Sequence, residues 1–166
     1  MYAKKRFSTW EKNINSTFCQ VTGIGIQGQG GEASIYLVYR SPNSTQANDA
    51  SLNEWLDSLT GDYWIFGDFN FPGIVWEESR SDVRGREFLE TVESKFLGQH
   101  VTEATHFRGH ILDLVMSSCE NMVVGVEHQG RLGSSDHEIL MCTLAADFLR
   151  EDLTTQWSET EKIFRP

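Results

Sequence analysis

Two short stretches carry the side chains best suited to chemistry. In Asp62-Tyr-Trp-Ile-Phe-Gly-Asp-Phe-Asn-Phe-Pro-Gly73, Asp68 and Asn70 follow an apolar run and a glycine. Side chains two apart in an extended chain point the same way, so this carboxylate and amide would project together from the mouth of a strand. Such a pair can hold a metal-bound water or a phosphate. The same spacing also suits an Asx-rich turn that satisfies its own backbone. In Gly133-Ser-Ser-Asp-His137, Asp136 and His137 are adjacent at the junction of a polar loop and an apolar strand. Neighbours in extended chain face opposite sides, so one could hold a cation while the other moves a proton; histidine titrates nearest neutrality. By itself, a bare Asp-His dipeptide is better read as an ordinary loop. Asp113 lies among Ile111, Leu112, Leu114 and Val115. A charge in that setting must be paired, and the pairing expected here is with a histidine it orients; a strand-edge carboxylate reaching solvent is the alternative. His106 and His110 are spaced like zinc ligands on a helix, but Gly109 lies between them and the stretch is not helical, so a zinc site is not expected. His100 and His128 have no suggestive neighbours.

These residues need strands to hold them. The spacing predicts strands over 17–27 and 33–39, joined as a hairpin by a Gly-Gln-Gly-Gly turn that no helix follows. A helix is predicted over 49–59, capped by Asn48 or Asp49, because Leu52, Trp55, Leu56 and Leu59 share one face. A strand over 63–66 follows. A second helix is predicted over 85–97 with Phe88, Leu89, Val92 and Phe96 as its buried stripe and Gly98 as its stop. Further strands are expected near 100–102 and over 110–116, 122–127 and 138–144. Strands run together as well as alternating with helices, which argues for a mixed sheet packed under helices rather than a doubly wound parallel sheet. Residues 1–16 read as a lead-in, 17–146 as one domain, and 147–166 as a polar tail or linker with a short helix at 158–164.

At 166 residues and 39% hydrophobic content, the chain can bury one core. It contains no apolar run long enough to cross a membrane, and its basic N-terminus lacks the apolar region of a signal peptide. Cys19, Cys119 and Cys142 are odd in number and scattered, so a reduced, intracellular setting is expected. A net charge of −10 argues against strong non-specific binding to nucleic acid, yet carboxylates are what a metal-dependent phosphate enzyme needs.

Taken in order, Tyr39-Arg-Ser-Pro-Asn43, Gly67-Asp-Phe-Asn-Phe-Pro-Gly-Ile-Val-Trp76, Leu112-Asp-Leu-Val115 and Gly133-Ser-Ser-Asp-His-Glu138 resemble the endonuclease/exonuclease/phosphatase superfamily. The set is most similar to the endonuclease domain of non-LTR retrotransposon polyproteins, because of the Pro-Gly-Ile-Val-Trp continuation and the Leu-Asp-Leu-Val strand. The resemblance spans roughly residues 17 to 145. It implies an α/β fold, part of a four-layer α/β/β/α sandwich, and hydrolysis of DNA phosphodiesters with Mg²⁺ or Mn²⁺. It implies His137 as general base, Asp113 as the residue that orients it, Asp68 at the nucleophile, Asn70 and Tyr39 at the scissile phosphate, and Asp136 on the metal. Asn43, Thr105 and Ser135 carry over as substrate-binding residues. DNA, a covalently linked reverse transcriptase and, for a functional retroelement enzyme, a nuclear location are the implied context.

The chain also departs from that pattern. The family places an Asn and a metal-binding Glu on strands well before the Tyr-x-x-Pro-Asn segment, and here only 38 residues precede Tyr39. Glu11 follows a polar run and Glu32 is expected in a turn, so neither ends an apolar strand. The first strands and helices of the fold are therefore expected to be missing, with weaker cation binding and an uncovered sheet edge and apolar surface. An inactive fragment, acting only as a binding or structural remnant, is one alternative function; a phosphatase or lipid phosphodiesterase of the same superfamily is another.

Overall fold

The computed structural model describes residues 8–18, 20–28 and 31–145. Its strands are β1 (Ser8–Glu11), β2 (Val21–Gly28), β3 (Gly31–Tyr39), β4 (Asp62–Asp68), β5 (Gly98–Gln99), β6 (Asp113–Ser117), β7 (Val123–Arg131) and β8 (Glu138–Leu144). Its helices are α1 (Gln46–Ser58) and α2 (Arg86–Ser94). Six strands form one sheet in the order β1-β2-β3-β4-β6-β5, and β7 and β8 form a second. Among the described residues only β3 and β4 run parallel. They are joined through α1, as a parallel pair requires.

The two faces of the large sheet follow from strand alternation. Tyr36, Val38, Tyr63, Ile65, Leu114 and Met116 point to one side and pack against Leu52, Trp55 and Leu56 of α1 and Phe88, Leu89 and Val92 of α2. Tyr36 meets Trp55 edge-on at 5.4 Å between ring centroids. The other face carries Ile35, Leu37, Tyr39, Trp64, Phe66 and Asp68, which the register sets side by side. The second sheet is approached from that side: Trp64 Nε1 donates to the carbonyl of Met122, one residue before β7, at 2.9 Å. The mixed sheet under helices matches the expectation from sequence.

Several boundaries differ, each for a local reason. Residues 8–11, read as lead-in, pair with Ile24–Gln27 as the edge strand β1. Glu32 sits in β3 rather than in a turn and pairs with Lys12 at 2.7 Å. Helix α1 begins three residues early because Thr45, not Asn48 or Asp49, is its cap, accepting from Asn48 N at 3.2 Å. Helix α2 stops at Ser94, because Phe96 adopts φ +53 and turns out to 88% exposure while Leu97 takes the buried place. The short strand expected at 100–102 forms at 98–99. The strand expected from His110 starts at Asp113, because His106 and His110 bridge each other in a tight turn first. The expected tail and its short helix at 158–164 lie outside the described residues.

Candidate active site

Strand β4 delivers Asp68 to the rim of the sheet. Gly67 precedes it with φ +149, and a Cβ there would run into the carbonyl oxygen of Val38. Glycine is needed for the neighbouring strand to come this close. Asp68 pairs in register with Tyr39 on one side and with Asp113 on the other. Cross-strand partners point to the same face, so Tyr39, Asp68 and Asp113 form one row at the end of the sheet. Tyr39 is 53% exposed at the open end of that row.

His137 closes the row from the second sheet. The hairpin that leads into β6 pairs with the segment before β8: Phe107 N donates to Asp136 O at 3.0 Å, and Glu138 N donates to Thr105 O at 2.8 Å. Ser135 Oγ accepts from His137 N at 3.1 Å. So held, His137 Nδ1 lies 2.7 Å from Asp113 Oδ2. The His106 ring stands edge-on to His137 at 5.0 Å. Asp68, Asp113 and His137 then offer ligand atoms that all lie within 4.8 Å of one another.

After Asp68 the chain leaves the strand through a left-handed Asn70 at φ +51. Asp68 Oδ1 accepts from Asn70 N at 3.1 Å, and Asp68 Oδ2 accepts from Asn70 Nδ2 at 2.9 Å. The Asx turn and the paired projection are thus one object: the two side chains meet through a turn, not through extended chain. Phe69 and Phe71 flank it and are buried, with ring centroids 5.2 and 4.7 Å from that of Phe88 on α2. The polar pair is therefore mounted on core anchors.

The charges in this cluster disturb one another. The Asp68 carboxyl is pushed up from 3.8 to about 6, by burial first and by the neighbouring Asp113 charge second. Burial alone would lower His137, but its hydrogen bond to Asp113 and the charges of Asp113, Asp68 and Asp136 raise it above the ordinary imidazole value. Two crowded carboxylates and an imidazole suit a hard divalent cation, which would relieve the repulsion that raises Asp68.

The remaining expected site residues fall elsewhere. Asp136 is exposed and is not a member of the close cluster. Asn43 is exposed in the turn after β3. Thr105 is fully buried, and its hydroxyl accepts from Leu112 N and Asp113 N, both at 3.0 Å. It fixes the start of β6 instead of facing solvent. Ser135 is exposed, and its hydroxyl braces the His137 backbone. Three residues at the site carry no sequence expectation of a role there: His106, set aside with the zinc pattern, Arg40, and Asp49, which was expected only as a helix cap. For Arg40 the available signal is a cation placed directly after an apolar strand and before a Ser-Pro turn.

The sequence model of the endonuclease–reverse transcriptase family matches residues 33–141, well over half of the chain. The chain belongs to that family. No curated protein sequence matches it. Among solved structures it is similar to the endonuclease domain of TRAS1, a telomere-specific non-LTR retrotransposon, with TM-score 0.63 and 16% identity over 81% of this chain and 65% of that one. It is also similar to an endonuclease/exonuclease/phosphatase family protein from Leptotrichia buccalis, with TM-score 0.55 and 15% identity over 85% and 61% of the two chains. The Haemophilus ducreyi cytolethal distending toxin matches with TM-score 0.50 and 16% identity over 82% and 58%. These likenesses show a mixed α/β fold of the endonuclease/exonuclease/phosphatase type. The chain spans less than two thirds of each of these structures.

Proposed function

We propose that this endonuclease–reverse transcriptase family member hydrolyses DNA phosphodiesters with the help of Mg²⁺ or Mn²⁺, as the endonuclease part of a protein that also carries a reverse transcriptase and meets its substrate in the nucleus. The observation that carries the reading is the 2.7 Å His137–Asp113 pair set beside Asp68 in the same cross-strand row.

The residues divide the work by their chemistry. With Nδ1–H donated to Asp113, the neutral His137 ring presents Nε2 as the base that takes a proton from water. Asp113 fixes the tautomer and steadies the imidazolium that forms. The water oxygen bonds to phosphorus, the bond to the leaving sugar oxygen breaks, and that oxygen takes up a proton. Asp68 and Asp113 are the carboxylates that would hold the cation, and Asn70 would reach a phosphate oxygen by giving up one of the two hydrogen bonds that its Nδ2 makes, to Asp68 Oδ2 and to the Arg40 carbonyl. A bound divalent cation supplies positive charge against the charge that develops on the phosphate oxygens.

Nicking of supercoiled plasmid tests this reading. Purified chain is expected to give open circles with Mg²⁺ or Mn²⁺, to stop with chelator, and to lose the activity in His137→Ala. Absence of metal-dependent nicking, or nicking that survives His137→Ala, overturns it. Phosphate released from a small phosphomonoester without nicking would move the assignment to a phosphatase.

A second reading, a non-catalytic remnant of the domain, is favoured by one specific observation. Glu11 and Glu32, the glutamates that precede Tyr39, are both exposed on β1 and β3, and neither joins the metal-type cluster. The same nicking assay separates the two.

A further inference from the structure

Arg40 follows β3 directly and is completely buried. A buried guanidinium has to be fully paired, because its desolvation is otherwise prohibitive. Its partners form a pattern. Nε and Nη2 grip Asp49 of α1 at 2.7 Å each. Nη1 donates to the carbonyls of Phe69 at 3.2 Å and Asn70 at 2.8 Å. Its Cζ lies 3.8 Å from the centre of the Phe71 ring. The Arg40 backbone adds two more contacts: its N–H donates to Asp68 O at 2.7 Å, and its carbonyl accepts from Asn70 Nδ2 at 3.2 Å. Arg40 therefore touches every residue from Asp68 to Phe71.

That segment contains the one conformation here in need of outside support. Asn70 is left-handed at φ +51. A non-glycine residue holds such a conformation only where its surroundings over-determine it. The turn is what brings Asn70 Nδ2 to Asp68 Oδ2. Asp49 Oδ1, the oxygen that faces Arg40 Nε, also accepts from Ser44 Oγ at 2.6 Å. Burial would raise the Asp49 carboxyl, but hydrogen bonds from Arg40 and Ser44 hold it below its ordinary value.

We propose that Arg40, anchored on Asp49, is a positioning residue for the phosphate site: its fork locks the left-handed turn at Asn70 and so aims the Asn70 amide and the Asp68 carboxylate. The assignment rests on the hydrolytic reading of the Asp68 cluster. Arginine is required because one planar group must span a carboxylate and two carbonyls at once, which the point charge of a lysine does not do. An ion pair that merely tied α1 to the sheet would affect melting alone.

The test uses the full chain with Arg40→Lys and with Asp49→Asn; the second keeps the side-chain shape and serves where the first does not fold. Melting by circular dichroism selects the temperature at which each variant is folded. The first readout is metal-free NMR of Asn70: the HN–Hα coupling that reports φ, and the shift and solvent exchange of its side-chain amide. The second is the kinetics of plasmid nicking with Mg²⁺. The expected result is loss of the left-handed coupling and faster amide exchange, with kcat lower by roughly 10- to 100-fold and KM held within about twofold. Folded variants with unchanged Asn70 signals, or a change confined to KM, overturn the proposal. If wild-type chain does not nick DNA, the hydrolytic reading fails by itself, and the Asn70 signals alone decide whether Arg40 sets the turn.

Discussion

At the scale of single residues, the 2.7 Å contact between Asp113 and His137 makes two testable demands. His137 must be neutral to act as a base, and its raised pKa means that activity climbs as pH rises through a value above the usual imidazole range. Asp113→Asn removes the charge and replaces the charge-assisted hydrogen bond with a weaker amide one that no longer selects the His137 tautomer. The His137 titration, followed by NMR of its ring protons, is then expected to move down, while nicking falls by about 10²–10⁴-fold. A variant whose His137 titrates as in wild type would dissociate the pair. Asp68 makes a second prediction, about stability. Its folded pKa of about 6 lies above the ordinary 3.8, so the folded state binds this proton more tightly than the unfolded state does. Ionising Asp68 therefore costs stability, and the cost accumulates as pH rises from about 4 to about 6. Asp68→Asn is expected to melt a few degrees higher than wild type at about pH 7, with the difference vanishing near pH 4. A difference that grew towards acid pH would have the wrong sign. Asp68, Asn70, Asp113 and His137 were legible in sequence because each breaks a local pattern: a polar pair at a strand mouth, a carboxylate among aliphatics, a histidine entering a strand. Arg40 was not, and Thr105 was expected at the substrate rather than under the start of β6. Their work is done by burial and by contacts distant in sequence, such as Arg40 with Asn70 at 2.8 Å, which no spacing rule expresses.

At the scale of elements, the site depends on how closely β3 and β4 approach just before their ends. Gly67 is the point of closest approach, since any side chain there meets the Val38 carbonyl and φ +149 is open to glycine almost alone. Gly67→Ala is expected to cost on the order of 3–5 kcal/mol in urea unfolding, because the clash is with backbone that the sheet cannot give up. A cost under about 1 kcal/mol would mean that the strands can part without loss. The periodic elements were readable for the same physical reason that they form: Leu52, Trp55, Leu56 and Leu59 of the first helical stripe are all buried. Helix ends were less readable. Thr45 outcompetes Asp49 as the cap of α1 because Arg40 claims the Asp49 carboxylate. Phe96 belongs to the helical stripe by spacing but leaves it, because the chain turns left-handed one residue after the helix cap.

At the scale of the whole molecule, two opposed terms govern how copies of this chain meet. The helical face of the large sheet is covered, but on its other face Leu37 is 39% exposed and Tyr39 53%, and on the second sheet Val124 is 71% and Ile139 43% exposed. Leu37 stands two residues before Tyr39 on the same face of β3, so this surface adjoins the row of Tyr39, Asp68 and Asp113. Exposed apolar surface of this kind favours association. The net charge of −10 opposes it. Like charges on separate molecules are screened within about 8–10 Å at physiological salt, whereas the apolar attraction is not screened. Raising salt should therefore increase self-association, opposite to the response of a contact held by ion pairs. Sedimentation velocity is expected to give an average mass that grows with NaCl for wild type and grows less for the Leu37→Ser, Val124→Ser double variant. Native-state binding of an apolar dye should fall in parallel. Both substitutions lie on partly open sheet positions, so melting should change little. A mass that declined with salt would place the contact on charged surface, and one that ignored the two substitutions would place it away from Leu37 and Val124.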